Sequence, residues 1–172
     1  MNRASAAAQA SLAPDLKVAD EVWIATALLH REHPEVPDFS VEQIVERARR
    51  EGLSKPLRRG VYVHAVQHCV ANRPPNPGRY RMLIESSPGR RRLFRPGDSY
   101  NPQREGAKIT PESGDLPQAY SGLLAWYRDW SASATSDSLK HDPLLALRGS
   151  GKQLWSGEHA DDYVRRLREG WE

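Results

Sequence analysis

The sequence predicts a mainly α-helical α+β domain carrying one small β-hairpin, followed by an extended, partly helical tail. Three observations predict it. Apolar residues recur three and four apart in successive segments before residue 131, the spacing of amphipathic helices. Two strand-like runs, 80–85 and 91–94, flank Ser87-Pro88-Gly89, the pattern of a hairpin. The last stretch, 139–172, is rich in Leu and Trp, yet a segment below about 40 residues rarely folds alone.

The elements follow in order. Residues 1–14, rich in Ala and Ser without periodicity, read as a disordered arm, and the folded domain as 15–130. From Lys17 the pattern turns helical through Val18, Val22, Ile24, Ala25, Leu28 and Leu29, and His33-Pro34 stops it. An extended piece is expected around Pro37 to Phe39. Ser40 and Gln43 make a capping box for a helix from Val41 to Glu51, and Gly52 sits where an αL cap belongs. A third helix is expected from Gly60 to Ala71, with Val63, Val66 and Val70 inward. Pro74, Pro75 and Pro77 then forbid helix. After the hairpin comes a helix from about Gln118 to Trp130. Residues 131–138 read as a Ser/Ala/Thr-rich linker before the tail. Two short tail helices are expected, one opening at Asp142-Pro143 and closing at Gly149, the other from Glu158 to Glu169.

The order helix, short strand, helix, helix, hairpin is that of a winged helix-turn-helix, whose third helix enters the major groove while the wing touches backbone or minor groove. Charge placement agrees. Of the 172 residues, 1–46 hold three Lys/Arg against eight Asp/Glu, whereas 47–108 hold fifteen against four. A net charge of +3 thus conceals a strongly basic middle, which attracts phosphate backbones. Arg58 and Arg59 open the third helix, His64, Gln67, His68 and Asn72 lie off its valine stripe, and Arg79, Arg81, Arg90, Arg91 and Arg92 decorate the hairpin. Gln and Asn can read adenine edges and Arg can read guanine, while wing arginines suit phosphates. These eleven residues are the expected DNA contacts, with plain solvation as the alternative for each polar one on the third helix.

Other chemistry finds little footing. No run reaches the roughly 18 apolar residues of a membrane helix, and the Ala-rich start lacks the apolar core of a signal peptide. The single cysteine, Cys69, excludes an internal disulfide and any Cys-cluster zinc site. His64 and His68, four apart, lack the intervening glutamate of a zinc-protease helix. Gly149-Ser150-Gly151-Lys152 lacks the first Gly and the final Ser/Thr of a phosphate-binding loop. The expectation is a cytoplasmic, non-enzymatic protein with no cofactor, no metal and no membrane partner.

The tail either packs back onto the domain or orders on another protein, with Trp and Arg as anchors. Its run from Asp142 through Leu-Leu-Ala-Leu-Arg-Gly-Ser-Gly-Lys-Gln-Leu to Trp155, then Ala160-Asp-Asp-Tyr-Val-Arg-Arg-Leu-Arg168 and Trp171, resembles the C-terminal tail of VapB-type antitoxins. Residues 15–130 also resemble an uncharacterised bacterial domain of winged-helix type. The tail resemblance implies a type II toxin–antitoxin pair, whose partner is a PIN-domain, VapC-type ribonuclease with a Mg²⁺-holding acidic cluster. In such families an arginine commonly enters that acidic pocket. Arg165, Arg166 and Arg168 match the basic stretch, and Arg148 is a further candidate. Leu144, Leu147, Leu154, Trp155, Tyr163, Val164, Leu167 and Trp171 would be the toxin-binding apolar anchors. The N-terminal domain departs from the ribbon-helix-helix and swapped-hairpin modules usual in that family. An antitoxin that also binds its operator is therefore the expected function, as part of a homo-oligomer or a toxin-bridged hetero-oligomer. The alternatives are a free-standing winged-helix regulator whose tail folds back or dimerises, and a structural interaction module whose basic face binds RNA or nothing.

Overall fold

The computed structural model describes residues 16–140 and 160–169. Helix α1, Val18–Glu32, is the centre of the domain, with every residue from Ala19 to His30 buried. It is enclosed on all sides because α2 (Val41–Glu51), α3 (Gly60–Val63) and the sheet pack around it. Val22, Trp23 and Ile24 are consecutive and all fully buried, so no single stripe defines its inward face. Strand β1 is brief, Phe39–Ser40. Ser40 then caps α2: its Oγ accepts from the Gln43 N–H at 3.2 Å, and its own N–H donates to Gln43 Oε1 at 2.8 Å. Gly52 ends α2 at φ 68°, a left-handed cap that glycine adopts without steric cost.

The expected third helix is shorter and turned. After α3 the chain makes one wide π-type turn, His64–His68, in which the Cys69 N–H reaches back to His64 O at 2.9 Å. The residues facing α1 are Val61, Ala65 and Cys69, all fully buried, rather than the valines 63, 66 and 70 together. Val70 is buried too, Val66 only partly, and Val63 faces solvent beside Tyr62, at 44% and 52% exposure.

Strands β2 (Leu83–Ser87) and β3 (Arg90–Leu93) form the hairpin, and β1 pairs with β3, giving an antiparallel sheet of order β1-β3-β2. Phe39 stands opposite Arg91, and Leu83 opposite Leu93. The ladder starts later than expected because the Met82 and Leu83 N–H groups donate to Cys69 O and the Arg81 N–H to Lys108 O. Gly89, at φ 76°, makes the turn. The element order, helix, short strand, helix, helix, hairpin, is the one the sequence predicts, and the class is mainly α with one small antiparallel sheet.

Short 3₁₀ turns at Pro102–Arg104 and Gln118–Tyr120 lead to α4, Gly122–Lys140. Tyr127 meets Trp23 edge-on at 5.7 Å and donates its hydroxyl to Phe94 O. The expected linker at 131–138 is helical, because the stretch from 131 to 141 holds neither Gly nor Pro and its alanines favour helix. The chain nevertheless divides into two compact units between Ser131 and Ala132. In the second unit, α5 spans Ala160–Glu169. The 1–14 arm, the helix expected at Asp142–Gly149, and the residues Leu144, Leu147, Arg148, Leu154, Trp155 and Trp171 lie outside the described residues.

Candidate nucleic-acid interface

From Gly52 to Ile84 the sequence holds no acidic residue, and α3 lies within that stretch. Arg59, Tyr62 and Val63 stand at i, i+3 and i+4 and are all exposed, so they share the outward face of α3. Arg59 itself has helical backbone angles, which extends the face by one position. Arg79 is exposed just beyond Gly78, which packs on His68 so tightly that a Cβ would lie 2.7 Å from the His68 Cβ. Lys55 is exposed in the turn that leads into α3.

The remaining expected contacts are largely held inside the domain. Arg58 is ion-paired with the buried Glu21 at 2.7 Å and donates to Leu16 O. His64 is half-buried, with Nδ1 2.9 Å from Gly60 O and its ring 4.8 Å from that of His68. Burial, followed by the neighbouring His68 and Arg58, holds the His64 imidazole below its ordinary pKa despite the Gly60 bond. Gln67 donates its amide to Pro74 O at 2.7 Å. Asn72 bonds the Glu85 main chain twice, donating to its O and accepting from its N–H at 3.0 Å each. Both amides that could read adenine are thus bonded to main chain.

The wing is a correction to the expected phosphate clamp. Arg90 pairs with Asp38 and also donates to Asp38 O. Arg91 is not on the surface at all: it is 1% exposed, 3.0 Å from Glu85, and donates to Ala65 O. Arg92 makes a two-pronged contact with Asp98, both bonds 2.7 Å. Arg81 donates to Ala107 O and lies over the Tyr100 ring at 4.2 Å. These contacts tune the acids. The Arg73 hydrogen bond, with Arg91 beside it, holds Glu85 below the usual carboxylate range. Burial alone would raise Asp98, but bonds from Arg92 and the Arg95 N–H bring it below its ordinary value.

Much of the basic middle is therefore internal. Nine of the fifteen Lys/Arg between 47 and 108 lie within 4.0 Å of a carboxylate, several of those carboxylates in the acidic first 46 residues. Arg104 is fully buried without an acid. Its Nε donates to Arg73 O, one terminal nitrogen to His68 O and Tyr80 O, and the other to Gln67 O and Pro74 O. Arg95 lies over Trp130 at 4.0 Å. Lys55, Arg59 and Arg79 remain, with no ion pair or hydrogen bond among the described residues. Tyr62 and Lys55 join this candidate face although neither is among the eleven expected contacts; the acid-free stretch around them was the available signal.

Other chemistry is sparse among the described residues. No group of three or more His, Cys, Asp or Glu side chains is arranged to hold a metal ion, and burial pushes the Cys69 thiol up, away from the thiolate a nucleophile needs. No helix there is long and apolar enough to cross a membrane. A groove of about 390 Å³ between α1 and α2 has Leu29 and Phe39 as its floor and the ion-paired Glu32, Glu46 and Arg47 on its rim. In the second unit, Asp162, Arg165, Arg166, Arg168 and Glu169 of α5 are exposed, with Arg165 3.3 Å from Asp162. Comparison with known proteins gives no match to the chain, whether by family model, by sequence to curated proteins or by fold to solved structures.

Proposed function

We propose that the chain is a two-part antitoxin, in which the tail neutralises a PIN-domain, VapC-type ribonuclease and the winged-helix domain binds DNA at its own operator. The observation that carries the toxin half is α5. It exposes Arg165, Arg166 and Arg168 on a helix whose acids, Asp161 and Asp162, come first, within the segment that resembles VapB tails. A guanidinium presented to clustered carboxylates neutralises them and competes with their metal. The DNA half is supported by the element order and by the exposed residues of α3 within an acid-free stretch of sequence. Arg59, Arg79 and Lys55 would hold phosphate there in place of the wing arginines.

The test is co-expression with a PIN-domain ribonuclease encoded beside this chain, followed by a ribonuclease assay of the purified complex. Replacing Arg165, Arg166 and Arg168 together by Ala should release nuclease activity while the complex still co-purifies. A mutated complex that stays silent, or a tail that proves dispensable for association, overturns the toxin half.

A further inference from the structure

The DNA half of that reading has a more specific form. We infer that the outward face of α3 is a stacking platform for an unpaired nucleic-acid strand, with Tyr62 as the base-stacking residue and Arg59, Arg79 and Lys55 as its phosphate contacts.

Four observations converge on an unpaired strand. First, the most exposed large apolar residue of the described domain is an aromatic, Tyr62, with Val63 beside it and Arg59 one turn before on the same face. An exposed aromatic ring with a cation on the same face is how strands without sequence preference are gripped, because every base has a face to stack. In a duplex those faces are already stacked and only base edges are offered in the grooves. Second, both amides able to read adenine edges are bonded to main chain: Gln67 to Pro74 O, and Asn72 to Glu85. Third, a duplex is held at two places by a winged helix, but Arg90, Arg91 and Arg92 of the wing are all paired with carboxylates. Fourth, the three exposed cations of this stretch, Lys55, Arg59 and Arg79, meet no carboxylate among the described residues, and the stretch itself, Gly52 to Ile84, holds no acid. That complementarity selects a polyanion over an apolar or basic protein surface. DNA and RNA strands share the chemistry used here, the base face and the phosphate.

The test is a fluorescence-anisotropy titration of the full chain with labelled oligo(dT), oligo(rU) and a mixed-sequence duplex, each about twelve units long, within the range of known single-strand sites. Both single strands, or the one of matching sugar, should bind at least tenfold more tightly than the duplex. Three phosphate contacts predict that affinity falls about fourfold for each doubling of salt. Tyr62→Ala should weaken binding about tenfold or more with an unchanged melting temperature, and Tyr62→Leu should do the same, whereas Tyr62→Phe should stay within about twofold. Tighter binding of the duplex overturns this inference and leaves the operator reading standing. Absence of binding to all three overturns both, and makes the face a protein contact. Equal binding by the Leu and Phe variants removes stacking and with it the inference.

Discussion

On β3, Arg90, Arg91 and Arg92 follow one another and each meets a carboxylate, two of them acids far along the chain or across the hairpin. At α3, Arg59 stands beside an exposed tyrosine and meets none among the described residues. The two regions are equally basic as sequence and opposite as surfaces. An arginine is available to a polyanion only when the fold has not already supplied it with an acid, so density of charge along a chain is a poor guide to charge presented. The hairpin's arginines are taken up by the fold's own acids, as Arg58 is by Glu21, whereas Arg59 meets no carboxylate among the described residues.

The largest expected effect tests the wing side of this contrast. Arg91→Ala empties a fully buried site and leaves Ala65 O without its donor, while Glu85 keeps Arg73, which together should cost about 3–5 kcal/mol. Chemical denaturation measures it, and a loss below about 1 kcal/mol would mean that Arg91 is no structural element. Next comes a pH effect at the same strand. His30 is buried against Phe39 and Trp130, its Nε2 accepts from the Leu93 N–H, and burial together with Arg95 and Arg92 lowers its pKa to about 4. A histidine kept neutral by the fold stabilises fully above its unfolded value near 6.5. That contribution is lost as pH falls from about 6.5 to about 4, a change of about 3 kcal/mol. Denaturation midpoints at pH 7 and pH 4.5 check it, and His30→Leu should flatten the difference; a midpoint that does not fall with acidification refutes the assignment. Glu85 and Asp98, both held below their ordinary values, add a second loss as pH falls through the carboxylate range. The partly exposed Arg90–Asp38 pair should show a coupling of only about 0.5–1 kcal/mol in a double-mutant cycle. The smallest effect is at α3, where Arg59→Ala should shift stability by less than about 0.5 kcal/mol while weakening oligonucleotide binding. A stability loss there as large as at Arg91 would erase the contrast.

Local chemistry made much of the fold legible. Ser40 with Gln43, Gly52 and the Ser87-Pro88-Gly89 turn act within a few residues, so their geometry is written next to them. The ion pairs were not legible in the same way. Arg58 finds Glu21 and Arg90 finds Asp38 across separations of 37 and 52 residues, and only the closed fold brings them together. The turned face of α3 escaped for another reason. Val61 and Ala65, four apart, take the inward face, so Val63, two residues on from Val61, emerges; the π-type turn then adds a residue to the helical step and shifts the valines beyond it, leaving Val66 partly exposed and Val70 buried.

Arg104 gives the two regions different chemical sensitivities. All five of its N–H groups are taken by main-chain carbonyls of the π-type turn and the proline-rich connector, with no carboxylate involved. It resembles a resident cation coordinated by peptide oxygens, and neither it nor its ligands titrate in the acid range. The wing is clasped by carboxylates and a neutral histidine, so acid undoes it piece by piece. The Arg104 contacts themselves carry no such trigger, although His64 in the same turn does. In an acid unfolding experiment followed by amide exchange, the backbone around Arg104 should therefore outlast the hairpin.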